Sequence, residues 1–332
     1  MAVAGPSLVI TVDTEPDDQW APAGADGLLP PFGFANTRGL GRLKDHLAAL
    51  GLPVTWMTSY AVARDAESAR VLRGFADGGD EIAGHLHGWE TPPYGPHDRR
   101  ARPFIGEYDA DARLAKHRTL MAAHEDAFGA RPVSYRAGRW GVDALELEHL
   151  AALGYRIDSS VPPGIDFRDR FGLRAPGPDF RRWLRGGPAQ PARVGPLWQV
   201  PVSITPVGPL GAGRIGAAVA RWAGATRPAD RVPRTASRAL AAAGISRLVW
   251  VRPLKHPRDV LVRATRSLVA QGARIINVMF HSSEAFVGTS PLSRTEDDVR
   301  RLLGDLSAIA AAAREGGAVP RTLRDAVADF AA

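Results

Sequence analysis

Apolar and polar positions follow two periods along the chain, and stretches of the two periods alternate. Residues 8–15 form a continuous, largely β-branched apolar run that ends in acid, which is typical of a central parallel strand. Residues 36–50 carry leucines at intervals of three and four and are followed by Gly51, so they predict a helix with a C-terminal glycine. A strand at 53–58, a helix at 64–76 and then a third strand continue the pattern.

The second half of the chain repeats this rhythm less regularly. Further strands are predicted at 132–136, 155–158, 197–204, 247–251 and 275–281, and further helices at 109–128, 142–153 and 256–270. Ser293 and Glu296 have the spacing of a capping box and predict the start of a last long helix. Strands that alternate with helices in this way predict an α/β protein with a parallel sheet or barrel, in which ligands bind at the carboxyl ends of the strands.

Two stretches lack a clear period. Residues 162–196 are rich in proline, glycine and arginine, and residues 208–246 are rich in alanine, glycine and arginine. Long segments of this kind inside a compact fold are usually functional or mobile loops. Because no linker or repeat divides the chain, we expect a single domain over residues 1–332, with a long inserted region at 162–246.

Composition narrows the functional classes. The chain has no cysteine, which excludes disulfides and thiolate metal sites. Its net charge of +7 would suit a nucleic-acid partner, but all of its 42 basic residues except Lys44, Lys116 and Lys255 are arginines, scattered without a basic helix. We therefore expect no nucleic-acid binding.

The start of the chain bears on its location. Residues 8–15 read as a structural strand, with no basic region, apolar core and cleavage site of a signal peptide. No apolar run reaches the ~18 residues that a membrane span needs. We expect a cytoplasmic protein without a transmembrane segment.

Two histidines separated by one residue end the third predicted strand, in the run Gly84-His85-Leu86-His87-Gly88. In an extended backbone residues i and i+2 point to the same face, so both imidazoles can reach one ion. Asp13 and Glu15 share a face of the first strand for the same reason. Either pair alone is equally well explained as a polar strand end, but both lie at the carboxyl ends of predicted strands. By contrast, the two histidines of the helix at 109–128 are interpreted as surface or half-buried residues and not as ligands: His117 and His124.

Other strand ends supply further candidate groups, namely Arg136, Asp158 and His281. A divalent metal held by two imidazoles and a carboxylate keeps positions open for water and substrate. A second carboxylate can then act as general base, and a histidine on the opposite side as general acid. An arginine can keep the base ionised. Together these groups suffice to hydrolyse an amide or an ester.

The order of these motifs resembles the polysaccharide deacetylase family, carbohydrate esterase family four. The family's first motif, usually T-F-D-D-G, corresponds to Thr11-Val12-Asp13-Thr14-Glu15, and its second, usually H-[ST]-x-x-H, to His85-Leu86-His87-Gly88-Trp89. Its third and fifth motifs correspond to Arg136-Ala137-Gly138-Arg139-Trp140 and Val278-Met279-Phe280-His281, and its fourth loosely to Asp158-Ser159-Ser160. A divergent branch is more similar still, through its H-L-H-P-W-x-T-P-P, R-A-G-R and D-S-S-V-P-P runs. The resemblance spans roughly residues 8–284 and implies an irregular (β/α) barrel of about seven parallel strands.

The direct matches imply roles for several residues. His85 would be a metal ligand, Asp13 the general base, His281 the general acid and Arg136 the partner of the base. Aromatic faces pack well on sugars, and the residues expected to bind substrate are Trp89, Arg139, Trp140 and Asp158.

Two positions depart from the family's pattern. Its second aspartate, normally a metal ligand, is Thr14 here, and its second ligand histidine would fall on Trp89. Side-chain alternation makes Glu15 and His87 the candidate replacement ligands. An exchange of roles that puts Asp13 on the metal is equally compatible with the sequence.

The resemblance implies a hydrolase that removes an acetyl or similar acyl group from an N-acetylated sugar or glycan precursor. It implies one divalent metal ion, with zinc expected and cobalt, nickel or manganese as alternatives. The same site chemistry could serve a non-sugar amide or ester, because a fold does not fix the substrate. The two broken ligand patterns favour a catalytically inactive carbohydrate-binding relative, whereas the retention of Asp13, Arg136 and His281 together speaks against it. A two-histidine-one-carboxylate iron oxygenase would use the same ligand set, but the alternation of strands and helices disfavours it.

Overall fold

A computed structural model of the chain describes residues 5–17, 32–94, 104–168, 177–184, 187–208 and 247–331. These residues contain eleven strands: β1 (Ser7–Thr14), β2 (Val54–Ser59), β3 (Glu81–Leu86), β4 (Ser134–Ala137), β5 (Ile157–Asp158), β6 (Ala192–Val194), β7 (Leu197–Gln199), β8 (Ile204–Val207), β9 (Arg247–Trp250), β10 (Ile275–His281) and β11 (Val319–Arg321).

The same part of the chain contains nine α-helices: α1 (Ala35–Arg38), α2 (Gly41–Ala49), α3 (Tyr60–Arg64), α4 (Ala66–Asp77), α5 (Ala110–Phe128), α6 (Ala144–Ala152), α7 (Arg258–Ala270), α8 (Glu296–Glu315) and α9 (Leu323–Ala331). Short 3₁₀ turns lie at Gly138–Trp140 and Ser282–Ala285, directly after β4 and β10. None of the described helices combines the length and the apolar character that crossing a bilayer requires.

Seven strands run parallel in one sheet in the order β10-β1-β2-β3-β4-β5-β7. β6 is antiparallel to β7, and β11 pairs with the first residues of β1. Beyond β7 the Ser203 amide donates to the Asn277 carbonyl of β10, so the far end of the sheet returns to its first strand. This curled sheet confirms the predicted irregular (β/α) barrel of about seven parallel strands.

One hydrophobic cluster holds the strands that carry the site. Leu43 and Leu47 of α2, Leu261 of α7 and Leu302 of α8 pack against Ile10 of β1 and its neighbours, all nearly inaccessible to solvent. Each fully buried leucine contributes roughly 1.5–3 kcal/mol. The helices on this side therefore fix β1 and β10 firmly beside each other.

The opposite face of β1 and β10 lies inside the curled sheet and carries a buried polar network. The Asn277 amide connects Thr11 to Ser159, through hydrogen bonds of 3.0 Å each. Arg136 is completely buried and donates to Thr11 Oγ1 at 2.9 Å and to Ser159 Oγ at 3.0 Å. Because every member has partners, this network can be buried without an unpaired charge.

Some predicted boundaries were wrong. The helix predicted at 36–50 is broken at Gly39, where a Cβ would lie 2.7 Å from the Phe286 ring, and α1 and α2 result. The helix predicted at 64–76 begins at Ala66, because Asp65 caps it by accepting a hydrogen bond from the Ser68 amide. The strand predicted at 197–204 stops at Gln199, and the chain then leaves the main sheet to pair β8 with β9.

The predicted capping box was displaced by two residues. α8 is capped by Thr295, whose hydroxyl accepts from the Asp298 amide at 3.2 Å, while Asp298 accepts from the Thr295 amide at 3.0 Å. The Ser293 hydroxyl instead donates to the Glu284 carbonyl. The prediction failed because two overlapping S/T-x-x-[DE] patterns occur in this stretch.

The region predicted as an insertion contributes to the sheet. β6 and β7 both lie within residues 162–246 and are strands of the main sheet. Residues 169–176, 185–186 and 209–246 of this predicted insertion lie outside the described residues.

Candidate active site

The register of the parallel strands brings the predicted residues to one edge of the sheet. Asp13 of β1 is the direct partner of His281 of β10, and His85 of β3 is the partner of Arg136 of β4. Glu15 and His87 follow β1 and β3 immediately. The carboxyl ends of these four strands therefore hold both acidic residues, all three histidines and the arginine, as the sequence predicts.

Glu15, His85 and His87, which we call the strand-end cluster, converge on a single point. Glu15 Oε1 lies 2.8 Å from His85 Nε2 and 2.6 Å from His87 Nε2, and the two nitrogens are 3.1 Å apart. All three side chains are buried, and they form the one group of three potential ligands that the described residues bring together. Asp13 is not a member of this group.

The donor set fits a divalent metal ion. Two ligand atoms at ~2.0–2.1 Å in a tetrahedral site stand roughly 3.3 Å apart, so the three distances of the cluster need to grow by less than about 1 Å. His85 Nδ1 lies 2.9 Å from the Arg136 carbonyl, which can only accept. That contact places a proton on Nδ1, so Nε2 is the nitrogen available to an ion, the arrangement usual for a metal-ligating histidine.

Electrostatics keep two members of the cluster in ligand form. Burial opposes ionisation of Glu15, but the His87 and His85 rings outweigh it and hold the pKa of Glu15 well below its usual value. Burial lowers the pKa of His87 to about 4 although Glu15 opposes this. For His85, burial is outweighed by the charges of Asp13 and Glu15, which raise its pKa. A metal ion entering the cluster would therefore displace a proton from His85.

Asp13 lies beside the strand-end cluster but has different partners. Arg136 Nη1 donates to Asp13 Oδ1 at 2.6 Å, and both side chains are buried. His281 Nε2 faces the other oxygen, Asp13 Oδ2, at 4.0 Å. The sequence leaves open whether Asp13 or Glu15 is the carboxylate ligand. In this geometry Glu15 contacts His85 and His87, whereas Asp13 pairs with Arg136.

The two positions that depart from the family's motifs have structural explanations. Thr14 points to the opposite face of β1 from Asp13 and Glu15, and its hydroxyl donates to the Val12 carbonyl. Trp89 lies against His87, with ring centroids 4.1 Å apart. Because side chains alternate along a strand, Glu15 lies on the same face as Asp13 and His87 on the same face as His85.

Three of the four residues predicted to bind substrate contact aromatic rings: Trp89, Arg139 and Trp140. The Arg139 guanidinium lies 5.6 Å above the Trp89 ring, and the Trp140 ring is 5.4 Å from the Trp250 ring. Arg139 and Trp140 both have left-handed backbone, at φ 56° and 62°. Such strain in non-glycine residues concentrates at functional sites.

Asp158 has a different environment. Its side chain is completely buried, accepts from the Ser160 amide at 3.2 Å and from Gln199 Nε2 at 2.9 Å, and also bonds the Ser160 hydroxyl. Burial raises the pKa of Asp158 to about 6. Its predicted role in binding substrate stays a prediction, since both of its oxygens are engaged within the protein.

Three groups near the site were missed by the sequence reasoning. Lys116 of α5 is completely buried and donates to the carbonyls of Gly88, Thr91 and Pro93, which holds the turn that carries Trp89. Glu284 and Arg252 contact His281 on the side away from Asp13. The H-x-x-E spacing of His281 and Glu284 was the available signal for one of them, whereas nothing in the local sequence marks Lys116.

Comparisons with known proteins place this geometry in context. Neither protein-family models nor curated protein sequences match the chain. The structure of a candidate polysaccharide deacetylase from Mycobacterium smegmatis is similar over 97% of this chain and 96% of its own, with 18% identity and a TM-score of 0.46. The chitin deacetylase of the fungus Colletotrichum lindemuthianum is similar over 98% of this chain and 88% of its own, with 12% identity and a TM-score of 0.43.

A third similar structure is the 4-alpha-glucanotransferase of Thermococcus litoralis. It covers 99% of this chain and 41% of its own length, with 10% identity and a TM-score of 0.52, and so shows a shared fold. The chain therefore has the fold of a known (β/α) protein, and the motifs by which it resembles the polysaccharide deacetylase family lie together at the carboxyl edge of its sheet.

Proposed function

We propose that this chain is a metal-dependent hydrolase of the polysaccharide deacetylase type, which removes an acetyl or similar acyl group from an N-acetylated sugar or glycan precursor. The observation that carries the proposal is the strand-end cluster of three buried ligands beside the Asp13–Arg136 pair, with His281 opposite. The order of the sequence motifs supports the same conclusion. Deacetylases are also among the proteins of similar structure.

Glu15, His85 and His87 would hold the ion. A divalent metal bound there supplies Lewis-acid chemistry, since it polarises the acyl carbonyl and acidifies the attacking water. Zinc is the expected ion, because imidazole and carboxylate ligands in a site with open positions are typical of it. The proposal thus assigns the carboxylate ligand to Glu15.

Asp13 and His281 would divide the proton transfers. Asp13 takes a proton from the water as the water oxygen bonds to the acyl carbon, and Arg136, which donates to Asp13 Oδ1, orients the carboxylate for this step. His281 Nε2 then gives a proton to the amide nitrogen as the C–N bond breaks. The products are the carboxylic acid and the free amine, so one water is consumed for each acyl group released.

The aromatic residues near the metal site would receive the sugar. Trp89 and Trp140 offer flat apolar faces, and Arg139 adds a charge beside Trp89. A sugar ring can pack on such faces while its hydroxyls remain hydrated. The expected cytoplasmic location stays a prediction, to be tested by cell fractionation.

Two measurements on the purified protein test the proposal. The first is elemental analysis after purification without added metal, for which we expect about one redox-inert divalent ion per chain. The second is acetate release from N-acetylated chito-oligosaccharides, which should require that ion and return when zinc is added after chelation.

Each possible result has a clear meaning. Acetate release only from a non-sugar amide, such as N-acetylated amino acids, would move the substrate class but keep the hydrolase. Failure to bind zinc, cobalt, nickel or manganese would contradict the proposal and support a catalytically inactive binding protein. Stoichiometric iron with oxygen consumption would indicate an oxygenase instead.

A further inference from the structure

The side of His281 that faces away from Asp13 is occupied by a buried acid. Glu284 lies in the turn Ser282–Ala285, and its Oε1 is 2.8 Å from His281 Nδ1 and 3.1 Å from the His281 amide. The Glu284 side chain is completely shielded from solvent. This one carboxylate oxygen therefore contacts both the ring and the backbone of the proposed acid.

A nearly buried arginine accompanies this acid. Arg252 Nη2 is paired with the same Glu284 oxygen and lies 3.0 Å from His281 Nδ1. Burial would raise the pKa of Glu284, but Arg252 and His281 more than offset it and lower that pKa to about 2. Arg252 and His281 thus favour the carboxylate form of Glu284.

An ionised carboxylate determines how an imidazole is used. Because the carboxylate can only accept hydrogen bonds, it favours the proton on Nδ1 and fixes the plane of the ring. The opposite nitrogen, Nε2, is then directed towards Asp13 and the space beside the strand-end cluster. The same arrangement of acid, imidazole and reacting group recurs on unrelated hydrolase folds.

We propose that Glu284, kept ionised by Arg252, is a positioning residue that orients His281 so that its Nε2–H points at the leaving nitrogen. The inference rests on the proposed function, since it assigns a role to Glu284 only if His281 is the acid. When the C–N bond breaks, the Nε2 proton passes to the amine nitrogen and the bonding electron pair leaves with that nitrogen. The Nδ1 proton stays on the ring against Glu284, and Asp13 passes the proton that it took from water to His281 Nε2, which it faces, so that the ring again has a proton on each nitrogen.

The experiment compares two substrates that differ in their need for an acid. Acetate release from N-acetylated chito-oligosaccharides requires protonation of a poor amine leaving group. Hydrolysis of 4-nitrophenyl acetate does not, because nitrophenolate departs without a proton. For Glu284→Gln we expect kcat on the amide to fall roughly 10–100-fold, a part of the ~10²–10⁴-fold that a general acid contributes. KM on the amide and the rate on the aryl ester should stay near those of the wild type.

The matched control is Glu146→Gln, which makes the same change in another fully buried glutamate that contacts a histidine, His117, at 2.8 Å. Its ratio of amide to ester rates should equal that of the wild type. Glu284→Asp should recover part of the lost amide rate. If Glu284→Gln does not fold, Arg252→Lys gives the same test in weaker form, with the amide rate falling more than the ester rate.

Two outcomes overturn the inference. An equal loss on both substrates, with an unchanged ratio, would mean that Glu284 acts only on stability, and no loss on either would mean that His281 needs no partner. A wild-type protein that hydrolyses the aryl ester but no amide contradicts the proposed function instead, and is recognised before any variant is made.

Discussion

Two buried clusters in this molecule are built from the same residue types. The strand-end cluster joins Glu15 to two histidines, and a second cluster, the helix-α5 cluster, joins Glu146 to His117 and Tyr135. In both, a glutamate oxygen lies 2.8 Å from a histidine Nε2. A histidine–glutamate pair at hydrogen-bond distance therefore does not by itself mark a metal site.

The clusters differ in what else contacts the carboxylate. The Glu146 oxygen also accepts a hydrogen bond from the Tyr135 hydroxyl at 2.9 Å, and burial together with Glu146 raises the pKa of that phenol well above its usual value. The Glu15 oxygen instead faces a second imidazole, so that three potential ligand atoms converge: Glu15 Oε1, His85 Nε2 and His87 Nε2. A proton donor satisfies the helix-α5 cluster, whereas the strand-end cluster is best satisfied by a cation.

The sharpest test of this comparison is catalytic. Asp13→Asn and His281→Ala should each lower turnover on the amide substrate by about 10²–10⁴-fold, since each removes a proposed base or acid. Steady-state kinetics with elemental analysis of the same samples would measure this. Bound metal should be retained in Asp13→Asn, because Asp13 lies with Arg136 and outside the strand-end cluster.

The same pair of measurements can reverse the assignment. Metal loss from Asp13→Asn, with metal retained in Glu15→Gln, would exchange the roles of the two carboxylates. Normal turnover in His281→Ala would remove this histidine from the mechanism.

Metal affinity should separate the two clusters next. His85→Ala and His87→Ala should each weaken zinc binding by at least the ~10–100-fold that loss of an outer partner of a ligand costs. His117→Ala should leave affinity unchanged, because the helix-α5 cluster lacks a third converging ligand. Competition with a zinc-binding dye would report all three constants. Equal affinity in His87→Ala and the wild type would make His87 a structural residue of the strand end.

The smallest expected effect is on how the free energy of unfolding depends on pH. His124 of α5 is buried with Nε2 3.0 Å from the Thr58 carbonyl, and burial lowers its pKa to about 4. The unfolded chain therefore binds the extra proton first as pH falls, so stability is present above about pH 6.5 and is lost towards pH 4. In urea unfolding, the free energy of unfolding of the wild type should fall between pH 7 and pH 5 by about 2 kcal/mol more than that of His124→Gln. An identical loss in both proteins would mean that His124 titrates normally.

How far the sequence predicted this structure depends on the range of each interaction. β10 runs over Ile275–His281, as predicted, because a continuous apolar run has few alternatives inside a sheet. The convergence of Glu15 with His85 and His87 followed from alternation on two parallel strands whose ends share an edge. Local periodicity and strand direction thus sufficed for the strand-end cluster.

Predictions that needed knowledge of tertiary neighbours failed. His117 and His124 were expected at the surface or half-buried, but both are almost inaccessible to solvent because α6 supplies Glu146 and β2 supplies the Thr58 carbonyl. The partners of His281 were missed for a similar reason, since Arg252 comes from the segment after β9. No periodic pattern encodes such contacts between segments.

The pairing of Asp13 with His281 on adjacent strands has a consequence for the growing chain. On a ribosome, the proposed metal ligands are complete once His87 has been added, and about 190 further residues precede His281, a delay of roughly 10–40 s at ordinary elongation rates. The other neighbour of β1 offers only Met57 at the level of Asp13. A nascent chain therefore carries its ion-binding groups well before it carries its acid, so the two halves of the proposed site are completed at different times during synthesis.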